Sequence, residues 1–138
     1  MTTAPFIVCL PIADRRTSFA FYRDGLGFEP VGEVADDGVP EPLQFALNDG
    51  VRLMLIPTVG FGWVAGGRDI APKESSECLL NLPAENAAAV DELVERARRA
   101  GAETVSAPGQ RPWAYEGSFA DPDGHVWVIT SQEGPAPS

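Results

Sequence analysis

Few side chains in this sequence have the type and spacing that chemistry needs, so each can be weighed singly. His125 is the only histidine; any Ser-His-Asp or Cys-His arrangement would have to use it as the base. Its position directly after Asp121-Pro122-Asp123-Gly124 assigns it to turn packing instead. Cys9 and Cys78 have no CxxC spacing, which gives neither a disulfide framework nor a zinc site. Without a placed base, Cys9 reads as a small apolar filler. Glu77 is a general base only if an apolar pocket raises its pKa; the plainer reading pairs it, buried, with Arg52. Asp36, Asp37 and Glu41 read as a solvated loop rather than a calcium site. Gly60, Gly62, Gly66 and Gly67 do not sit between a strand and a helix, so they form no phosphate loop. No residue is assigned a catalytic role, and Glu77 is the one candidate.

Bulk properties narrow the function further. The 138 residues suffice for one domain with a core and fall short of two ordinary ones. Ten basic residues against twenty acidic give a net charge of −10, which disfavours nucleic acid and anionic membranes and favours a cationic ligand. No run of about 18 apolar residues exists and no basic-then-apolar leader opens the chain, so a cytoplasmic location is expected.

The elements that must position these side chains follow from local pattern. A first strand is expected at 5–12. A helix over 15–24 follows, capped by Asp14, carrying Phe19, Tyr22 and Leu26 on one face and stopped by Gly25 or Gly27. Strands are expected at 28–34, 43–47 and 51–56, the last two joined by Asn48-Asp49-Gly50. Residues 57–75 show no periodicity and read as a lid or linker loop. A strand at 77–82 opens the second half. An amphipathic helix follows over 83–100, burying Ala87, Val90, Leu93, Val94 and Ala97 and ending at Gly101. Strands at 103–107, 115–120 and 125–131 close the fold. The last two flank Asp-Pro-Asp-Gly, in which Pro122 fixes φ and Gly124 is free to take φ > 0. Both halves thus read βαβββ, a structural repeat. One domain over 1–131 is expected, with modules at about 5–57 and 76–131, a loop at 58–75 and a disordered tail at 132–138.

The doublet, the Phe21-Tyr22-Arg23-Asp24-Gly25-Leu26-Gly27-Phe28 segment and the Asp121-Pro122-Asp123-Gly124-His125 turn resemble the glyoxalase/bleomycin-resistance/dioxygenase superfamily, the vicinal oxygen chelate fold, over about residues 5–131. That resemblance implies an α+β fold: two βαβββ modules forming a curved, partly open barrel around a cavity, commonly in a homodimer. Enzymes of the family typically hold a divalent metal there, with donors from four strands. Alignment puts those positions at Ile7, Met54, Glu77 and Val128, and a one-residue slip at the third would select Cys78. Ile, Met and Val offer at best one weak thioether to a divalent ion, so no metal and no cofactor is expected.

If those four positions face the cavity, alternation brings Cys9, Arg52, Ile56, Leu79, Asn81, Val126 and Thr130 to the same side, with Trp127, Ile129 and Cys78 opposite. Pairing Phe119 with Val126 adds Phe119, Tyr115 and Trp113 to the lining, and pairing Phe45 with Met54 adds Phe45. Phe61 and Trp63 are expected as a lid. The expected ligand-binding set is therefore Cys9, Phe45, Arg52, Met54, Phe61, Trp63, Glu77, Trp113, Tyr115, Phe119 and Val128. It suits a planar or bulky organic molecule, aromatic or cationic, held without turnover by a homodimeric protein. The competing readings are an enzyme of the same superfamily (lyase, isomerase or dioxygenase) and a protein-interaction domain.

Overall fold

The computed structural model describes residues 4–133 and divides into two compact units, Met1–Ile70 and Ala71–Ser138. The first runs β1 (Phe6–Ile12), α1 (Arg15–Ala20), a π-helical turn (Phe21–Gly25), β2 (Glu29–Val31), β3 (Leu43–Asn48), β4 (Val51–Pro57) and α2 (Thr58–Val64). Its four strands lie in the order β1-β4-β3-β2, with β1 parallel to β4 and the other pairs antiparallel. Asp14 caps α1 as its sequence position demands: its carboxylate accepts from the Thr17 amide at 2.9 Å and the Thr17 hydroxyl at 2.8 Å. Both bonds hold its carboxyl below the usual carboxylate range. Gly27, at φ 79°, ends the helical run, and the Phe28 amide reaches back to the Tyr22 carbonyl at 2.9 Å. The core lies between this helical segment and one sheet face. Leu10, Ile12, Leu43, Phe45, Leu53 and Leu55 from the strands are buried, as are Phe19, Tyr22 and Leu26 above them.

The second unit repeats that order as β5 (Leu80–Pro83), α3 (Ala87–Arg99), β6 (Glu103–Gln110), β7 (Tyr115–Ala120) and β8 (Val126–Ser131). The sheet order is β5-β8-β7-β6, with β5 parallel to β8. Asn86 caps α3 through the Ala89 amide at 2.9 Å, and Gly101 terminates it at φ 112°. Ala87, Val90, Val94 and Ala97 are buried under it, while Leu93 is half-buried. In the β7–β8 turn, Asp121 Oδ1 accepts from the amides of Asp123 and His125, both at 2.9 Å, and Gly124 takes φ 89°. The two units therefore share one α+β plan, and neither sheet closes on itself.

Several elements differ from their expected bounds. Residues 58–64 form α2 rather than loop; Gly60 brings this helix close to the sheet, where an added Cβ would stand 3.4 Å from Ile56 Cγ2. Tertiary packing outweighs a glycine content that disfavours helix. β5 begins at Leu80, leaving Glu77 and Cys78 outside it. α3 begins at Ala87 rather than at 83, because the Asn86 amide oxygen can satisfy the free Ala89 N–H as its cap. β6 extends to Gln110. Of the expected tail, residues 134–138 lie outside the described residues.

Candidate functional site

Each sheet has one face under its helix and one away from it, and the ladder registers decide which side chains share the latter. In the first unit Ile7 pairs with Arg52, Cys9 with Met54 and Pro11 with Ile56. Leu10 and Ile12 of β1, and Leu53 and Leu55 of β4, are buried on the helix side. Alternation puts Ile7, Cys9, Arg52, Met54 and Ile56 together on the other side. In the second unit Asn81 pairs with Val128, and Trp127 and Ile129 are buried on the helix side. Val126, Val128 and Thr130 thus face away from α3, beside Asn81, whose Oδ1 accepts from the Thr130 hydroxyl at 3.2 Å.

Three expected aromatic walls lie on the wrong side for that role. Phe45 pairs with Leu53, not Met54, and is 0% exposed. Its ring packs against Phe19, Tyr22 and Phe28, with centroids 6.2, 5.7 and 6.5 Å away. The cause is an irregularity between Ala46 and Asn48: next to the turn Asn48 pairs with Val51, but beyond Leu47 the register moves by one. Such a bulge reverses the facing of every residue past it. Phe119 pairs with Trp127, not Val126, because the hairpin turn takes one more residue than expected, and it too is buried. Tyr115 shares the Phe119 side by alternation. Its hydroxyl donates to Asp91 of α3 at 2.6 Å, and that carboxylate pushes the phenol pKa above its ordinary value.

Glu77 is exposed and precedes β5, which excludes the buried pair with Arg52. The repeat also shows which residue takes the third alignment position. Matching the caps Asp14 and Asn86 superimposes Leu10-Pro11 on Leu82-Pro83 and Cys9 on Asn81. The ladders then equate Met54 with Val128 and, two residues before Cys9 and Asn81, Ile7 with Leu79. Leu79, 62% exposed, replaces Glu77.

The same registers bring in residues that the sequence reading left out. Gln44 takes the place given to Phe45, directly opposite Met54. Ser118 takes that of Phe119, opposite Val128. The alternation Leu43-Gln44-Phe45-Ala46 carried this signal, with the apolar residues in phase with the helix-covered face. Arg111 donates to the Ser106 hydroxyl at 2.8 Å and the Ala107 carbonyl at 3.0 Å. Trp113, outside the strands, donates its indole N–H to Glu116 at 2.9 Å. Phe61 is half-buried and Trp63 is 84% exposed on α2. His125 gives its amide to Asp121 within the turn. Arg15 binds Asp37 at 3.0 Å and Glu41 at 3.4 Å, so two of the three loop acids are held by a cation.

The family model for the Glyoxalase/Bleomycin resistance protein/Dioxygenase superfamily matches residues 6–129. The chain belongs to this superfamily. Among solved structures, a glyoxalase-related enzyme from Fulvimarina pelagi is 25% identical, over 94% of this chain and 88% of the other, with a TM-score of 0.79. A superfamily enzyme from Burkholderia phytofirmans PsJN is 22% identical over 91% and 95%, with a TM-score of 0.73. A superfamily protein from Nocardioides is 24% identical over 100% and 89%, with a TM-score of 0.70. At these identities the likeness is one of fold. No curated protein matches the sequence.

Membership makes the metal a direct question for this site, and the donor chemistry answers it. In the first unit Ile7 and Met54 supply one thioether, and in the second Leu79 and Val128 supply no donor, whereas hard or borderline divalent ions need three or four oxygen or nitrogen donors. Among the described residues, no group of three or more His, Cys, Asp or Glu side chains is arranged to hold an ion. These residues do not fit the metal of the superfamily's enzymes.

Proposed function

We propose that this protein is a metal-independent member of the superfamily that binds and sequesters a bulky organic molecule, such as a natural product or antibiotic. The observation that carries the reading is the apolar character of Ile7, Met54, Leu79 and Val128. Positions that would otherwise polarise a substrate instead offer dispersion contacts and apolar area, which supply affinity without a chemical step. In the first unit Arg52 and Gln44 share the face of Ile7 and Met54 as orienting polar groups, and in the second Asn81 shares that of Val128. With Phe45 and Phe119 committed to the cores and the half-buried Tyr115 bonded to Asp91 of α3, the aromatic contribution falls to Phe61, Trp63 and Trp113. The ligand is accordingly gripped mainly by aliphatic and thioether groups. A cytoplasmic homodimer is the form proposed to act.

Tryptophan fluorescence tests this directly. Trp63 and Trp113 are exposed and Trp127 is buried, so a screen of natural products should yield saturable quenching that Trp63→Phe or Trp113→Phe diminishes. Turnover of a bound compound would shift the reading to an enzyme, and a wholly silent screen would remove it.

A further inference from the structure

Resting on that ligand-binding reading, we infer that the first unit's helix-free face is selective for an organic carboxylate that also carries an N–H or O–H donor. The observation is an unsatisfied acceptor. Gln44 Oε1 is buried and has no hydrogen-bond partner among the described residues. Gln44 lies in the middle of the sheet, with Val31 of β2 on one side and Met54 of β4 on the other; neither offers a donor. A buried acceptor left in this condition is costly, and it sits on the face where a ligand is proposed to rest.

Arg52 supplies the complementary feature. It is half-buried, and its guanidinium has neither a carboxylate nor a hydrogen-bond partner among the described residues, in contrast to Arg15, Arg23 and Arg98, which are all ion-paired. In the ladder Arg52 is opposite Ala46, and Gln44 is opposite Met54. The two side chains are therefore diagonal neighbours, roughly 7–8 Å apart at their bases, and both can reach one polar group on a ligand. A planar guanidinium selects a carboxylate by paired N–H bonds. Gln44 Oε1 selects an adjacent donor. Ile7, Cys9, Met54 and Ile56 present an apolar surface to the remainder, with α2 at the Ile56 end. This preference for an anion opposes the cationic ligand that the chain's net charge suggested, because the adjacent Arg52 guanidinium outweighs a screened surface field.

The test uses N-acetylphenylalanine, its N-methylated amide and its methyl ester, titrated calorimetrically into the full chain. Both altered probes should bind about tenfold more weakly or worse than the parent, since one leaves the buried Gln44 acceptor unpaired and the other the Arg52 guanidinium. Gln44→Met should abolish discrimination against the N-methyl probe alone, and Arg52→Met that against the ester alone. Thermal melting of each variant, with Arg52→Lys as a second substitution, separates these effects from unfolding. Equal affinity for all three probes, or binding by none at millimolar concentration, overturns the inference. Saturable binding of other compounds in the fluorescence screen would then leave the broader reading intact.

Discussion

Replacing Phe45 by alanine separates a core residue from a ligand wall. The side chain is fully buried and ringed by Phe19, Tyr22 and Phe28. Truncating a buried phenylalanine typically costs roughly 3–5 kcal/mol. The upper half is expected here, because three aromatic partners lose a neighbour and each pair is worth about 0.5–1.5 kcal/mol beyond burial. With a urea dependence of about 1.5 kcal/mol/M, a loss of about 4 kcal/mol lowers the unfolding midpoint by about 2–3 M. The assay is urea denaturation followed by far-UV circular dichroism, beside the same experiment on Gln44→Ala. Gln44→Ala should leave the midpoint within about 0.5 M while weakening any ligand that donates to this position. The reverse pattern, in which Phe45→Ala keeps its midpoint but loses ligand binding, would refute the register assigned to β3 and restore Phe45 to the ligand face.

Further outcomes follow from other contacts. Gly124→Ala should destabilise far more than Gly38→Ala: both glycines have positive φ, but an added Cβ at Gly124 meets the Lys73 carbonyl and at Gly38 meets nothing. Thermal unfolding compares the two, with about 1 kcal/mol expected from backbone conformation alone at Gly38. Tyr115→Phe should cost about 1 kcal/mol by losing the bond to Asp91 and leave ligand affinity unchanged; in the wild type, the tyrosinate absorbance of Tyr115 should rise at a pH above the ordinary phenol range. Arg15→Met should lower stability at pH 7 by more than at pH 3. The Arg15 guanidinium lowers the Asp37 pKa, so this stabilisation is present above the unfolded carboxyl pKa and is lost as the pH falls through the lower folded one. Urea titrations at the two pH values measure the difference.

Much of the scaffold was legible because local chemistry dictates it. Asp14 had to cap a helix, Gly27 and Gly101 had to end one, and the alternation in β8 fixed which of Trp127 and Val128 faces α3. Register was legible only up to the nearest irregularity. The hairpin signal at Asn48-Asp49-Gly50 correctly places Asn48 against Val51, yet one bulged residue at Leu47 moves Phe45 to the other face and puts Gln44 in its place. The extra residue in the Asp121–His125 turn does the same to Phe119 and Tyr115. Both errors are single-residue shifts in a period-2 structure, which reverse facing without altering the element. Glu77 differs in kind: no local signal in 77–82 marks where β5 starts, and the shared caps with the pairs Cys9–Met54 and Asn81–Val128 place Leu79, not Glu77, as the counterpart of Ile7 in the repeat. α2 had no periodic signal because contact with the sheet near Ile56 holds it.

Ligand binding without a metal is the property proposed here for this superfamily member. Mass-spectrometric metal analysis, after incubating the purified protein with Mn, Fe, Ni and Zn and dialysing it, tests that most directly. Metal well below one equivalent per chain, with ligand quenching unchanged by chelator, is the predicted result. One tightly held equivalent whose removal abolishes binding would contradict it.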